Sequence, residues 1–166
     1  MGKKTVMIQA RTDSSRLPNK VLKTIEDKPL LWHVINRVKQ IKNVDQIILI
    51  TTKREIDKKL IEIANESKIL SFQGDTLDVL NRHYQCALKF NADPIIRITS
   101  DCPLIDPLLV QEILEFFLSN DYDYVSNTII PTYPDGLDTE IFSFMSLKQA
   151  ANQAKLKSER EHVTSY

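Results

Sequence analysis

Val6-Met7-Ile8-Gln9-Ala10 is an apolar run that stops abruptly on Arg11-Thr12-Asp13-Ser14-Ser15-Arg16-Leu17-Pro18-Asn19-Lys20. A second run, Gln46-Ile47-Ile48-Leu49-Ile50-Thr51-Thr52, is dense in isoleucine. Strands covered on both faces read in this way. Between the two runs, Leu30, Leu31, Val34, Ile35, Val38 and Ile41 recur at three- and four-residue steps behind Pro29, the pattern of an amphipathic helix. A strand, a helix and a strand in this order predict a parallel pair joined by a crossover.

Working outward, the alternation continues. The spacing predicts a helix over 56–67, a strand over 69–72, a helix over 77–90, a strand over 94–99 and a helix over 107–118. Beyond Asp121 the pattern shortens to strand-like pieces at 124–127 and 139–142, around a loop with Pro131, Pro134 and Gly136, and a helix follows from Ser146. The fold class is therefore α/β: a doubly wound, mostly parallel sheet with helices on both faces, forming one domain over 1–166. The strands at Val6 and Pro94 are expected side by side. Ligands of such sheets collect beyond the carboxyl ends of the strands, which directs attention to 11–20 and 100–106.

Composition sets limits on partners. Of 166 residues, 42% are hydrophobic and 27% charged, and 22 basic residues balance 22 acidic ones, so nothing resembles the sustained basic excess of a nucleic-acid or membrane-surface binder. The balance hides a separation: residues 1–43 hold ten Lys/Arg against three acids, whereas 93–146 hold one Arg against ten acids. Such a split suits a site with one wall for polyphosphate and another for its metal ion. Cys86 and Cys102 lack the spacing of a zinc site or a disulfide framework, and no apolar run has the length of a signal peptide or a membrane span. A cytoplasmic protein is expected.

Four segments can carry chemistry. In the first, Arg11, Arg16 and Lys20 with the hydroxyls of Ser14 and Ser15 leave a buried strand, the donor set that phosphate oxygens require, although a solvated loop has similar composition. In the second, Gly74 and Asp75 open the helix that carries Asp78, Arg82 and His83; Asp75 reads as its cap, and His83 as a helix-surface residue rather than a catalytic base. In the third, Asp101 stands directly after a buried strand, where a carboxylate can reach a divalent ion, while Asp106 before Pro107 reads as a helix cap and Cys102 as a packing residue. The fourth combines Asp135, Asp138 and Glu140 with Arg160 and His162.

The order of Arg11, Ser14, Arg16, Pro18 and Lys20 resembles the N-terminal signature of the sugar cytidylyltransferases, enzymes that make CMP-activated acidic sugars, and within them the spore coat polysaccharide biosynthesis branch. Gln9 replaces a usual proline, and Asp13 a common glycine. The segments Gly74 to Tyr84, Thr99 to Pro107, Pro134 to Glu140 and Arg160 to Thr164 resemble the same branch in the same order. The resemblance implies a nucleotide-diphospho-sugar transferase-like fold and transfer of CMP from CTP to an acidic sugar with loss of pyrophosphate. It assigns the nucleotide to Ala10, Arg11, Ser14, Ser15, Arg16, Lys20, Gly74, Asp78 and Arg82, and the sugar to Asp138, Glu140, Arg160 and His162. Arg11, Lys20 and Asp101 would be the catalytic groups, with Mg2+ on Asp101 and a homodimer as the assembly.

Chains of the family continue past the Arg160 to Thr164 segment, through further strands and a second metal-binding aspartate, so this chain is expected to lack that portion. Two other readings stand beside the first. Asp121-Tyr122-Asp123 supplies the D-x-D of a metal-dependent glycosyltransferase, though a solvated turn explains it as well, and a shortened homologue could bind nucleotide without turnover.

Overall fold

A computed structural model of the protein describes residues 2–13 and 17–166. Ser14, Ser15 and Arg16 lie outside the described residues.

In chain order the elements are β1 (Lys3–Gln9), a 3-10 turn (Lys20–Leu22), β2 (Thr24–Ile25), β3 (Lys28–Pro29), α1 (Leu30–Val38), β4 (Gln46–Thr52), α2 (Lys58–Glu66), β5 (Leu70–Gly74), α3 (Val79–Phe90), β6 (Ala92–Thr99), α4 (Pro107–Leu118), β7 (Tyr124–Ser126), β8 (Glu140–Phe142), α5 (Phe144–Gln153) and α6 (Lys157–Glu161). The main sheet runs β5-β4-β1-β6-β8-β7. β1 pairs in parallel with β4 on one side and with β6 on the other, so the expected neighbours Val6 and Ile96 are partners. β8 runs antiparallel to β6 and closes the sheet with β7.

Alternation along β1 divides the interior. Val6 and Ile8 face a layer with Leu31, Val34 and Ile35 of α1, Leu60 of α2 and Leu114 of α4. Met7 faces the opposite layer, with Leu80 and Ala87 of α3 and Leu147 of α5. Val6, Met7 and Ile8 are all completely buried, which is why the run shows no polar face.

Element ends differ from expectation where a side chain caps the backbone. α3 begins at Val79 because the Asp78 carboxylate accepts the Asn81 N–H, while Asp75 instead accepts the N–H groups of Leu77 and Asp78 in the turn before it. α5 begins two residues early because the Ser143 hydroxyl accepts the Ser146 N–H. Asp106 caps α4 through the Leu108 N–H, as its place before Pro107 foretold.

His83 corrects its expected surface position. It is fully buried on the inner stripe of α3, beside Val79, Leu80, Cys86 and Ala87, and its Nδ1 lies 2.9 Å from the Val79 carbonyl oxygen. Burial, with the charges of Arg97 and Arg82 adding, lowers its pKa to about 3, so the ring is neutral. Cys86, free and buried on the same stripe, has its thiol pKa pushed up to about 12 by burial. Among the described residues no helix is long and apolar enough to cross a membrane.

Candidate functional site

β1 lies where the strand order reverses, with β4 reached on one side and β6 on the other, so a crevice opens beyond its carboxyl end. Buried Ala10 continues the ladder by donating to the Ile50 carbonyl, and Arg11 then emerges exposed. The loop closes on itself where the Asn19 N–H donates to the Thr12 carbonyl at 3.0 Å. Asn19 takes a left-handed backbone (φ 54), and buried Val21 anchors the turn that carries Lys20.

Lys20 then meets the loop after β6. Its Nζ lies 2.8 Å from Asp101 Oδ2, which joins the cationic and acidic segments as their separation suggested. Burial works against the Asp101 carboxylate, but the Lys20 ammonium and the Thr99 hydroxyl outweigh it and hold its pKa below the ordinary carboxylate value. A cleft of about 580 Å³ opens here between Lys20, Asp101, Pro103, Asp135 and Asp138. Asp138 has its pKa raised, first by burial and then by the negative charges of Asp135, Glu140 and Asp101.

The other candidates divide between open and occupied. Arg82 is 1% exposed, and none of its guanidinium nitrogens has a hydrogen-bond partner among the described residues. Burial lowers its pKa, as does the charge of Arg11, with Asp57 and Asp75 opposing. An unpaired buried cation is costly, so this guanidinium is left in want of an anion. Gly74 makes room for the Arg82 side chain: a Cβ there would lie 2.7 Å from Arg82 Cγ. Asp78 and Arg160, by contrast, bind each other, Arg160 Nε donating to Asp78 Oδ2 at 2.9 Å. Glu140 pairs with Arg97 and accepts from the Tyr124 hydroxyl at 2.9 Å and the Thr164 hydroxyl at 2.5 Å. His162 is exposed just after α6. Ser14, Ser15 and Arg16 fall outside the described residues.

Asp121 and Asp123 lie at the opposite end of the sheet. Asp123 accepts from the hydroxyls of Ser143 and Ser146, and the Phe144 N–H donates to Asp93 at the start of β6, a strand length of roughly 25 Å from Asp101. This triplet takes no part in the crevice, which removes the feature that favoured a glycosyltransferase.

Comparisons with known proteins bear on family and fold. The family model described as cytidylyltransferase matches residues 5–166. The chain belongs to that cytidylyltransferase family. It is 41% identical to an uncharacterized protein of Methanocaldococcus jannaschii, over 96% of this chain and 65% of that one. It is 30% identical to the spore coat polysaccharide biosynthesis protein SpsF of Bacillus subtilis, over 96% of this chain and 68% of that one. The solved structure of a cytidylyltransferase from Leptospira borgpetersenii superposes with a TM-score of 0.96 at 33% identity, covering 100% of this chain and 71% of that one. This cytidylyltransferase-family chain thus spans about two thirds of the length of these three proteins, and its mostly parallel sheet superposes on the solved one.

Several residues of this family member escaped the sequence reading. Asp57, completely buried, accepts from the Thr12 N–H at 2.9 Å, the Thr12 hydroxyl at 2.7 Å, the Thr52 hydroxyl and Arg54. Burial alone would raise its pKa, but these hydrogen bonds prevail and lower it. The carboxylate so fixes the backbone between Arg11 and Asp13. Gln9 accepts from Arg97 at 3.1 Å, which accounts for a side chain with a carbonyl oxygen where proline is usual. Asp57 and Arg54 follow the carboxyl end of β4, and looking beyond every strand end would have found them.

Proposed function

We propose that this crevice is the nucleotide site of a cytidylyltransferase that moves CMP from CTP to the hydroxyl of an acidic sugar. The observation that carries the proposal is the Lys20–Asp101 pair, which sets a phosphate-directed ammonium against a metal-directed carboxylate on the segments that follow two adjacent strands. Family membership and the relative named for polysaccharide biosynthesis support it.

In the reaction a sugar hydroxyl oxygen bonds to the α-phosphorus of CTP, the bond from that phosphorus to the bridging oxygen breaks, pyrophosphate leaves and the hydroxyl proton passes to solvent. The chain's work is placement and charge stabilisation. Arg11 and Lys20 oppose the negative charge that grows on pyrophosphate, and Arg82 offers the nucleotide a further cationic partner. Asp101 is a hard oxygen donor in an open cleft, which fits Mg2+ held by one carboxylate, water and phosphate oxygens. No group of three ligating side chains is gathered among the described residues, and Asp101 is the carboxylate among them that we assign to the ion. When bound, the ion would neutralise phosphate charge. On the acceptor side Asp138 faces the cleft and can accept from sugar hydroxyls, while Glu140 and Arg160 hold the wall through Arg97 and Asp78.

The test is pyrophosphate release from CTP, UTP, GTP and ATP, each with a panel of acidic sugars and Mg2+. Release with CTP and one acidic sugar is the expected result. Transfer of a glycosyl group from a preformed sugar nucleotide, or nucleotide binding without any release, would overturn it.

A further inference from the structure

We infer that Asp13 is a built-in competitor for polyphosphate at Arg11, and that Arg54 is the positioning residue that draws it aside. The inference rests on the polyphosphate role of Arg11 proposed above. Asp13 stands between two guanidinium groups at unequal distances: Arg54 Nη1 lies 2.5 Å from Oδ2, and Arg11 Nε lies 3.5 Å from Oδ1. Arg54 cannot follow Asp13 outward, because its Nε and Nη2 are bound to Asp57 Oδ2 at 3.2 and 3.0 Å. Asp57 is in turn completely buried and tied to Thr12 and Thr52. The guanidinium is therefore a fixed post, with one nitrogen left over for Asp13.

An arriving phosphate carries the same charge as Asp13 and seeks the same Arg11. The long contact is the one to yield, and Asp13 keeps the short one. Without Arg54, Arg11 would be the nearest cation left to Asp13 among the described residues, and every phosphate would have to displace the carboxylate from it. Arg54 so acts on the nucleotide through Asp13 rather than by touching it.

The experiment titrates inorganic tripolyphosphate and CTP, at constant Mg2+, into wild type, Arg54→Ala, Asp13→Asn and the double variant, with thermal unfolding of each. Arg54→Ala should bind both anions about threefold to fivefold more weakly, the range a half-exposed charge pair commands. Asp13→Asn alone should tighten both, and adding it to Arg54→Ala should restore affinity to at least the wild-type value. A double variant as weak as Arg54→Ala would overturn the inference, since Arg54 would then act by direct contact or by holding the loop. If Arg54→Ala does not fold, Asp13→Asn alone decides, and unchanged affinity overturns the competition. Wild type that binds tripolyphosphate but not CTP rejects the nucleotide reading and leaves the variant series to judge Asp13; wild type that binds neither rejects both.

Discussion

Asp101 and Asp106 are five residues apart and do different work. Asp101 faces Lys20 across the cleft, whereas Asp106 spends its carboxylate on the backbone of α4. Asp101→Asn should weaken magnesium-dependent CTP binding by roughly tenfold, as loss of a charged hydrogen-bonding partner does, with little change in thermal unfolding. Asp106→Asn should leave binding intact, because asparagine also caps helices. The reverse pattern in a binding titration would mean the roles are exchanged. Gly74 is a tighter constraint. An alanine there meets Arg82 and Phe72, so Gly74→Ala should cost about 1–3 kcal/mol through overpacking and weaken nucleotide binding as Arg82 shifts, both measurable on one preparation. His83 adds a pH dependence. Its folded pKa of about 3 lies below the ordinary 6.5, so the unfolded chain takes up the proton first. Its contribution to stability is whole above pH 6.5 and declines as the pH falls from there toward 3. Unfolding measured from pH 7 to pH 5, where most carboxylates stay ionised, should show wild type losing stability faster than His83→Gln.

At the scale of elements, Asp78 serves two helices. One oxygen caps α3, and the other holds Arg160 of α6. Asp78→Ala should lose about 1 kcal/mol for the cap and up to about 1 kcal/mol for the half-buried pair, while Arg160→Ala should lose only the second; urea unfolding separates them. The elements themselves were legible because their signals are local. Isoleucine runs marked β4 and β6, three- and four-residue steps marked α1 and α4, and the Asp106-Pro107 pair marked a cap. Lys20 and Asp101 were legible as one site because both follow strand ends that the topology makes neighbours. What escaped depends on partners distant in sequence. Asp57 binds Thr12 across 45 positions, and Asp78 binds Arg160 across 82. His83 differs for another reason: its motif offers no paired carboxylate or nucleophile, which argues against a catalytic base but says nothing about burial, whereas the stripe through Val79, Leu80, Cys86 and Ala87 points it inward.

At the scale of the molecule, β1 belongs to both layers and pairs along both edges, and its two partners arrive at very different times. Val6 waits about 40 residues for Ile47 and about 90 for Ile96. During synthesis at roughly 5–20 residues per second, β1 and β4 can associate seconds before β6 exists. For that interval one edge of an apolar strand stands open, with no residue available to cover Met7 from the β6 side. Such an edge invites pairing with another chain. Nascent chains halted before Ala92 should therefore aggregate or recruit holding chaperones, and chains extended past Thr99 should escape, which sedimentation of stalled-length fragments would reveal. The central strand that unites the finished protein is thus the segment most in need of protection while the protein is being made.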